Sequence, residues 1–367
     1  MSMSREYDVL VVGDSNLDVQ LGQAPAELTF GQEEQLMDSG ALTLGGSAAI
    51  TACGAARLGL RAALVSVVGD DGAGRFVLAE LAARRVELSG CVVDEHLATG
   101  ITVNLVREHD RAMLTFAGAM STTSASMVSQ ELLAAARHVH VTSLFLQPRL
   151  AAEVGDLLAE AHRFGATTSL DTGWDPSHRW ECGLAHVLPH VDVLLPNSQE
   201  ALAIVNVLDG AGASLDLAKA AAALAERGPL PVIKCGVEGA VALVRGRVVR
   251  EEGRSADVVD TVGAGDSFNA GFLAGWLGGR DVAQSLALAV IVGTLSTRGA
   301  GGTAMQPTLD EAMAAEGSHA QETPLRSVAA QKRCSTEPSR LPGAVTETPG
   351  DRTTTHAEPG VNCDEDA

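Results

Sequence analysis

Residues Asp260-Thr261-Val262-Gly263-Ala264-Gly265-Asp266-Ser267-Phe268 carry the most chemistry per residue in the chain. A short apolar strand at Val258 and Val259 is expected to run into a glycine-rich turn, after which Phe268, Phe272, Leu273, Trp276 and Leu277 recur at helical spacing. Gly263, Ala264 and Gly265 therefore fall at a helix start, where free backbone N–H groups and the positive end of the helix dipole make an anion site. Asp266 places a carboxylate beside that site, where it repels the anion. A carboxylate so placed suits a base that takes a proton from a hydroxyl attacking a phosphoryl group. Two plainer readings use the same residues: an Asp in a first helical turn caps or pairs with the dipole, and paired glycines make a tight turn. The two familiar nucleotide patterns, Gly-x-x-x-x-Gly-Lys-Ser/Thr and Gly-x-Gly-x-x-Gly after the first strand, are missing.

The elements that must position this turn follow from apolar periodicity. Runs of β-type composition at 8–12, 62–68, 138–142, 167–170, 191–195, 231–235 and 240–244 alternate with helical patterns at 47–58, 74–84, 150–163, 199–205, 215–226 and 282–296. Such alternation predicts an α/β fold, a mostly parallel sheet with helices on both faces. Segments 17–44 and 88–116 break it with short β-type pieces and a polar hairpin turn at Glu108-His109-Asp110-Arg111. They are expected to pair as a small β-sheet lid over a ligand.

Ligands on open parallel sheets bind beyond the carboxyl ends of the strands, and five such ends here deliver polar residues or glycines. Asn16 and Asp18, two apart, can point the same way and suit sugar hydroxyls, or form an Asx-turn. Gly45 and Gly46 let backbone approach a ligand, or merely punctuate a loop, and Ser47 is a good N-cap. Asp171 and Asp175 follow the fourth apolar run, with Trp174 between them suited to stacking on a sugar or to the core. Asn197-x-x-Glu200 reads both as a helix capping box and as a pair that could hold Mg²⁺-bound water beside phosphates. Lys234 is one of three lysines and precedes a glycine loop, so it reads as a phosphate contact or as a surface residue. The histidines have no shared metal spacing.

The order of these motifs resembles the ribokinase-like (PfkB-type) carbohydrate kinases. Asp260-Thr261-x-Gly263-Ala264-Gly265-Asp266-Ser267-Phe268 resembles that family's C-terminal signature, and Gly45-Gly46 before a helix its N-terminal one. Gly69-Asp70-Asp71-x-x-Gly74, Asn197-x-x-Glu200 and Lys234-x-Gly236-x-x-Gly239 fall in the expected order over residues 6–310. The resemblance implies a three-layer sandwich carrying a β-lid. It implies Asp266 as general base and Gly263, Ala264 and Gly265 as the anion hole. Asn16, Asp18, Gly45 and Gly46 would hold the sugar, joined by Ser47, Asp171 and Asp175. Asn197, Lys234, Gly236, Gly239 and Thr261 would line the ATP site, Glu200 would reach Mg²⁺ through water, and Asp260 would hold a monovalent cation such as K⁺. A homodimer through the lids is also implied. The chain departs from the family at Ile50, where many members carry a sugar-binding Asn, so ribose specificity is not implied. No Arg/Lys cluster marks a second phosphate site; Arg107 and Arg111 in the hairpin are the candidates.

The expected activity is ATP-dependent phosphorylation of a primary hydroxyl of a small sugar or sugar acid. The rival readings are a nucleoside kinase on the same fold, which wants a more aromatic pocket than a 3% aromatic chain offers, and a silent sugar or nucleotide sensor. A dinucleotide-binding dehydrogenase would fit the alternation but lacks its fingerprint glycines. A formal charge of −20 argues against nucleic-acid or anionic-membrane partners. No apolar run reaches the roughly 20 residues that span a bilayer, and no segment resembles a signal peptide. Six cysteines without metal or CxxC spacing read as reduced thiols, so a cytoplasmic location is expected. Residues 1–315 form the expected kinase domain. Residues 316–367, rich in Pro, Ser, Thr and Glu, are expected to be a disordered tail.

Overall fold

The computed structural model describes residues 5–25, 27–107, 110–210 and 216–322. In chain order the first half holds β1 (Val9–Val12), β2 (Asn16–Gly22), β3 (Ser39–Gly45), α1 (Ser47–Arg57), β4 (Ala62–Gly69), α2 (Gly72–Ala83), β5 (Glu87–Asp94), β6 (Ile101–Arg107), β7 (Asp110–Phe116), α3 (Gln130–Ala135), β8 (His138–Thr142), α4 (Pro148–Arg163) and β9 (Thr167–Asp171). The second half holds α5 (Leu184–Val187), β10 (Val193–Leu194), α6 (Ser198–Asp209), α7 (Leu217–Ala225), β11 (Leu230–Lys234), β12 (Ala240–Val244), β13 (Arg247–Glu251), α8 (Ala264–Leu277), α9 (Val282–Ser296) and α10 (Leu309–Glu322).

The main sheet runs β13-β12-β11-β10-β9-β8-β1-β4-β5. From β5 to β11 every pairing is parallel, and β12 and β13 add an antiparallel edge. Because strand side chains alternate faces, Leu10 and Val12 enter one apolar layer with α4, α6 and α7. Val9 and Val11 enter the other, against α1, α8 and α9. Both faces are covered, as all-parallel strands require. The α8–α9 contact is close because small residues face each other: a Cβ on Gly271 would meet Ala289 Cα at 2.9 Å.

The second sheet, β3-β2-β6-β7, is the lid. Its bounds differ from the sequence expectation at one place. β5, inside the 88–116 segment, pairs with β4 in the main sheet; a short β-type run shows strand character but not which sheet will take it. Asp71 ties lid to core. Its Oδ1 accepts from Gly74 N at 2.7 Å, capping α2, and from Thr99 Oγ1 at 2.7 Å, while Oδ2 accepts from Thr99 N at 2.8 Å, just ahead of β6. Glu108 and His109 at the hairpin tip lie outside the described residues. At the other end, α10 continues to Glu322, past the expected end of the domain at 315, and the remainder of the tail lies outside the described residues.

Candidate active site

The glycine turn sits where the sequence places it, but it is entered by irregular backbone; Val258 and Val259 are exposed and form no strand. Asp260 folds the turn. Its Oδ1 accepts from Val262 N at 2.9 Å and its Oδ2 from Gly301 N at 2.8 Å, locking the turn to the loop after α9. Gly263 caps α8 with φ 71°, a left-handed conformation that favours glycine, and a Cβ there would stand 2.6 Å from Gly302 Cα. Ile50 packs behind this turn, against Gly263 and Gly302, so the residue that departs from the family pattern backs the anion-hole turn.

Asp266 lies in the first turn of α8, close to the Ser47 side chain. Burial, then the charges of Asp171 and Asp14, push its carboxyl up to about 8 against the pull of Lys234. At neutral pH it therefore stands near the balance between holding and releasing a proton, the setting a general base needs.

Beside it, β2 presents Asn16 and Asp18 on one face, as their spacing predicts. Asn16 Nδ2 donates to Asp18 Oδ1 at 2.7 Å and to Thr102 Oγ1 at 3.2 Å; Asn104 Nδ2 donates to Asp18 Oδ2 at 3.2 Å. Asp18 is pushed up to about 6 by burial, opposed by these amides. Gly45 is required by close approach, since a Cβ would collide with the Asp18 carboxylate. Asp14, which the sequence reading left out of the site, occupies the start of α1: its Oδ2 accepts from Ser47 N at 3.2 Å and its Oδ1 from Ala48 N at 3.1 Å. Gly46 and Ser47 thus carry an internal carboxylate at that helix start.

Three expected ligands have other partners. Lys234 Nζ donates to Asp171 Oδ2 at 2.6 Å, and Asn269 Nδ2 donates to the same oxygen at 2.5 Å. A buried ammonium and a buried carboxylate each need a counter-charge, which this pair supplies; a Cβ on Gly265 would stand 3.6 Å from Lys234 Nζ, so the ammonium also borders the anion-hole turn. Burial works to raise Asp171, but Lys234 and the hydrogen bonds hold it below the usual range. Burial likewise opposes the Lys234 charge, and Asp171 and Glu200 sustain it. Asp175 shapes its own loop, accepting from Ser177 N at 2.8 Å and Trp180 N at 2.6 Å. It lines a cavity of about 620 Å³ with Leu144, Gly155 and His186 whose lining does not include Asp266. Trp174 is 44% exposed and meets Trp180 edge-on.

After β10, which lies between β9 and β11, Asn197 and Glu200 form the capping box of α6: Asn197 Oδ1 accepts from Glu200 N at 2.9 Å and Glu200 Oε2 from Asn197 N at 2.7 Å. Burial and the Asp171 charge push Glu200 up to about 7. Gly236 and Gly239 bracket the short turn between β11 and β12. Thr261 Oγ1 accepts from Arg111 Nη1 of the lid at 2.6 Å, so the lid hairpin touches the anion-hole motif. Sequence reading placed Arg111 in the lid but had no signal for a contact 150 residues away. Among the described residues no three His, Cys, Asp or Glu side chains gather into a metal cage.

Comparison with known proteins agrees with this geometry. The model of the pfkB family of carbohydrate kinases matches residues 7–309. An ATP-dependent ribose-1-phosphate kinase from Halopiger xanaduensis is 31% identical over 82% of this chain and 95% of its own length. A fructokinase from Klebsiella pneumoniae is 31% identical over 79% and 96%. The solved structure of Arabidopsis thaliana ribokinase, complexed with ribose and ATP, superposes with a TM-score of 0.70 at 21% identity over 85% of this chain and 98% of that one, which shows the fold. The chain belongs to the PfkB family of carbohydrate kinases and has the ribokinase-like α/β fold.

Proposed function

We propose that the protein transfers the γ-phosphoryl group of ATP to a primary hydroxyl of a small carbohydrate, with Asp266 as general base. The observation that carries this reading is a buried carboxyl, set near 8, at a free helix start and beside a second face of hydroxyl-binding groups. Asp266 takes the hydroxyl proton, the N–H groups of Gly263, Ala264 and Gly265 receive the charge on the transferring phosphoryl, and Asn16 and Asp18 orient the sugar. Most of the acceleration comes from positioning and electrostatics.

ATP supplies the phosphoryl group, and Mg²⁺ shields its phosphates. Without an all-protein cage the ion would rest on phosphate oxygens and water, as Mg²⁺ commonly does, with Glu200 as the nearby carboxylate. Asp260 keeps one lone pair on each oxygen beyond its two backbone bonds, which fits a weakly held K⁺; no step is assigned to it. Gly236, Gly239 and Thr261 would border the nucleotide.

A homodimer through the lids belongs to the same reading. By register the outward lid face is apolar, and Leu42, Leu114 and Phe116 are 58%, 57% and 56% exposed on it. Among the described residues no helix is long and apolar enough to cross a membrane.

The test is sugar-dependent ADP release, read with a coupled enzyme on a panel of pentoses, hexoses and sugar acids. Release that requires a sugar and is lost in Asp266→Asn supports the reading. ADP release indifferent to sugar, or unchanged in the variant, overturns it.

A further inference from the structure

The inner face of the lid holds a group of polar atoms that the proposed chemistry leaves unused. Register puts Thr43, Asp18 and Thr102 in one row across β3, β2 and β6, and Gln20 and Asn104 in the next, all on one face. That face confronts the catalytic loops. Thr43 stands against Gly301, whose N–H holds Asp260, and Arg111 reaches Thr261. Gln20 is 6% exposed and Asn104 1%. Both amide atoms of Gln20, the Asn104 oxygen and the Thr43 hydroxyl have no hydrogen-bond partner. Buried polar atoms are nearly always paired, and an unpaired amide costs its full desolvation. One such atom is an oddity. Four on neighbouring positions of one face, continuous with Asn16 and Asp18, are a surface prepared for a guest.

The chemistry of that guest follows from the atoms. Gln20 offers two donors and an acceptor, Asn104 an acceptor, and Thr43 one of each. Adjacent hydroxyls, each donating and accepting, satisfy such a set; an apolar group leaves it unpaired. The charges nearby are negative: Asp18 lies in the group, and Asp14 and Asp260 act on it. The cation of this face, among the described residues, is Arg111, and its guanidinium is turned to Thr261 on the phosphoryl side. A carboxylate or phosphate on the substrate's non-reacting end would meet Asp18 without a counter-charge.

We propose that Gln20, Asn104 and Thr43 determine specificity by reading the hydroxyls at the non-reacting end of an uncharged sugar, and select against sugar acids and phosphosugars. The proposal rests on the kinase reading for the reacting end. It is tested by kinetics of the wild type, Gln20→Leu and Asn104→Leu with neutral sugars, sugar acids and phosphosugars, together with melting temperatures. The expected result is a neutral sugar as best substrate. In each variant its KM rises about 10- to 100-fold, the loss of a buried hydrogen bond, while the KM for ATP stays within about twofold. In Gln20→Leu the melting temperature holds or rises, because leucine removes a wholly unpaired amide; Asn104→Leu also takes a donor from Asp18 and lowers it. A merely structural Gln20 would not separate affinity from stability in this way. A wild type that prefers an anionic substrate by tenfold or more, or variants with unchanged sugar KM, overturns the proposal and leaves the kinase reading standing. If no sugar is phosphorylated, sugar-induced thermal stabilisation of Asp266→Asn decides. Stabilisation by a neutral sugar that Gln20→Leu abolishes keeps this proposal and removes the kinase reading. No stabilisation by any neutral sugar overturns it.

Discussion

Asp266→Asn should move activity and stability in opposite directions, and both magnitudes follow from the site. Burial and neighbouring carboxylates raise the Asp266 carboxyl from an ordinary 3.8 to about 8. The folded protein then holds a proton that the unfolded chain releases between about pH 4 and pH 8. Stability from this group is present at low pH and is lost as pH rises through that window. The loss is about 1.4 kcal/mol for each pH unit crossed, so the penalty at pH 7 approaches a ceiling on the order of 4 kcal/mol. The helix start behind Asp266 and any water that enters the site reduce it. Asn keeps the size and carries no charge. The variant should be more stable than the wild type by about 1–3 kcal/mol at pH 8.5 and by less than about 1 kcal/mol at pH 5. Its kcat should fall about 10²–10⁴-fold with the general base removed. Urea denaturation at the two pH values and coupled ADP release measure both. A variant that is less stable at pH 8.5, or that keeps a tenth of the activity, would refute the assignment of Asp266 as a buried base.

Three further tests probe the rest of the site and the lid. Lys234→Met strands the buried Asp171 carboxylate and should cost about 3–5 kcal/mol in denaturation, most of it regained when Asp171→Asn is added; a fully additive double mutant would show that the two do not act as a pair. Glu200→Gln preserves a capping-box side chain, so the melting temperature should move little while the Mg²⁺ concentration for half-maximal rate rises severalfold. An unchanged Mg²⁺ requirement would leave Glu200 as a cap alone. Leu42→Glu with Leu114→Glu places charges on the outward lid face and should halve the mass seen in sedimentation; a wild type that already sediments as a monomer would remove the dimer.

The layered fold was legible because its strands are short apolar runs bounded by polar residues and its helices carry longer periods. The 138–142 and 240–244 runs and the 282–296 helix match β8, β12 and α9 to the residue. What was not legible depends on partners distant in the chain. The apolar pattern of residues 87–94 suits either sheet, and only its pairing with β4 assigns it. The pairing of Lys234 with Asp171 was hidden because a lysine before a glycine loop says nothing of Asp171, which arrives from two strands away in the sheet. Gln20 and Asn104 passed unnoticed because an amide at every second strand position is also what a solvent-facing strand shows. Their meaning comes from being buried together without partners.

The central claim is phosphoryl transfer to a primary hydroxyl, and the product tests it directly. The wild-type protein, incubated with ATP, Mg²⁺ and the neutral sugar that best drives ADP release, should yield one phosphate monoester for each ADP. Its ³¹P signal should be coupled to a CH₂ group. ADP formed without a sugar phosphate, or an ester on a secondary or anomeric carbon, would contradict the account.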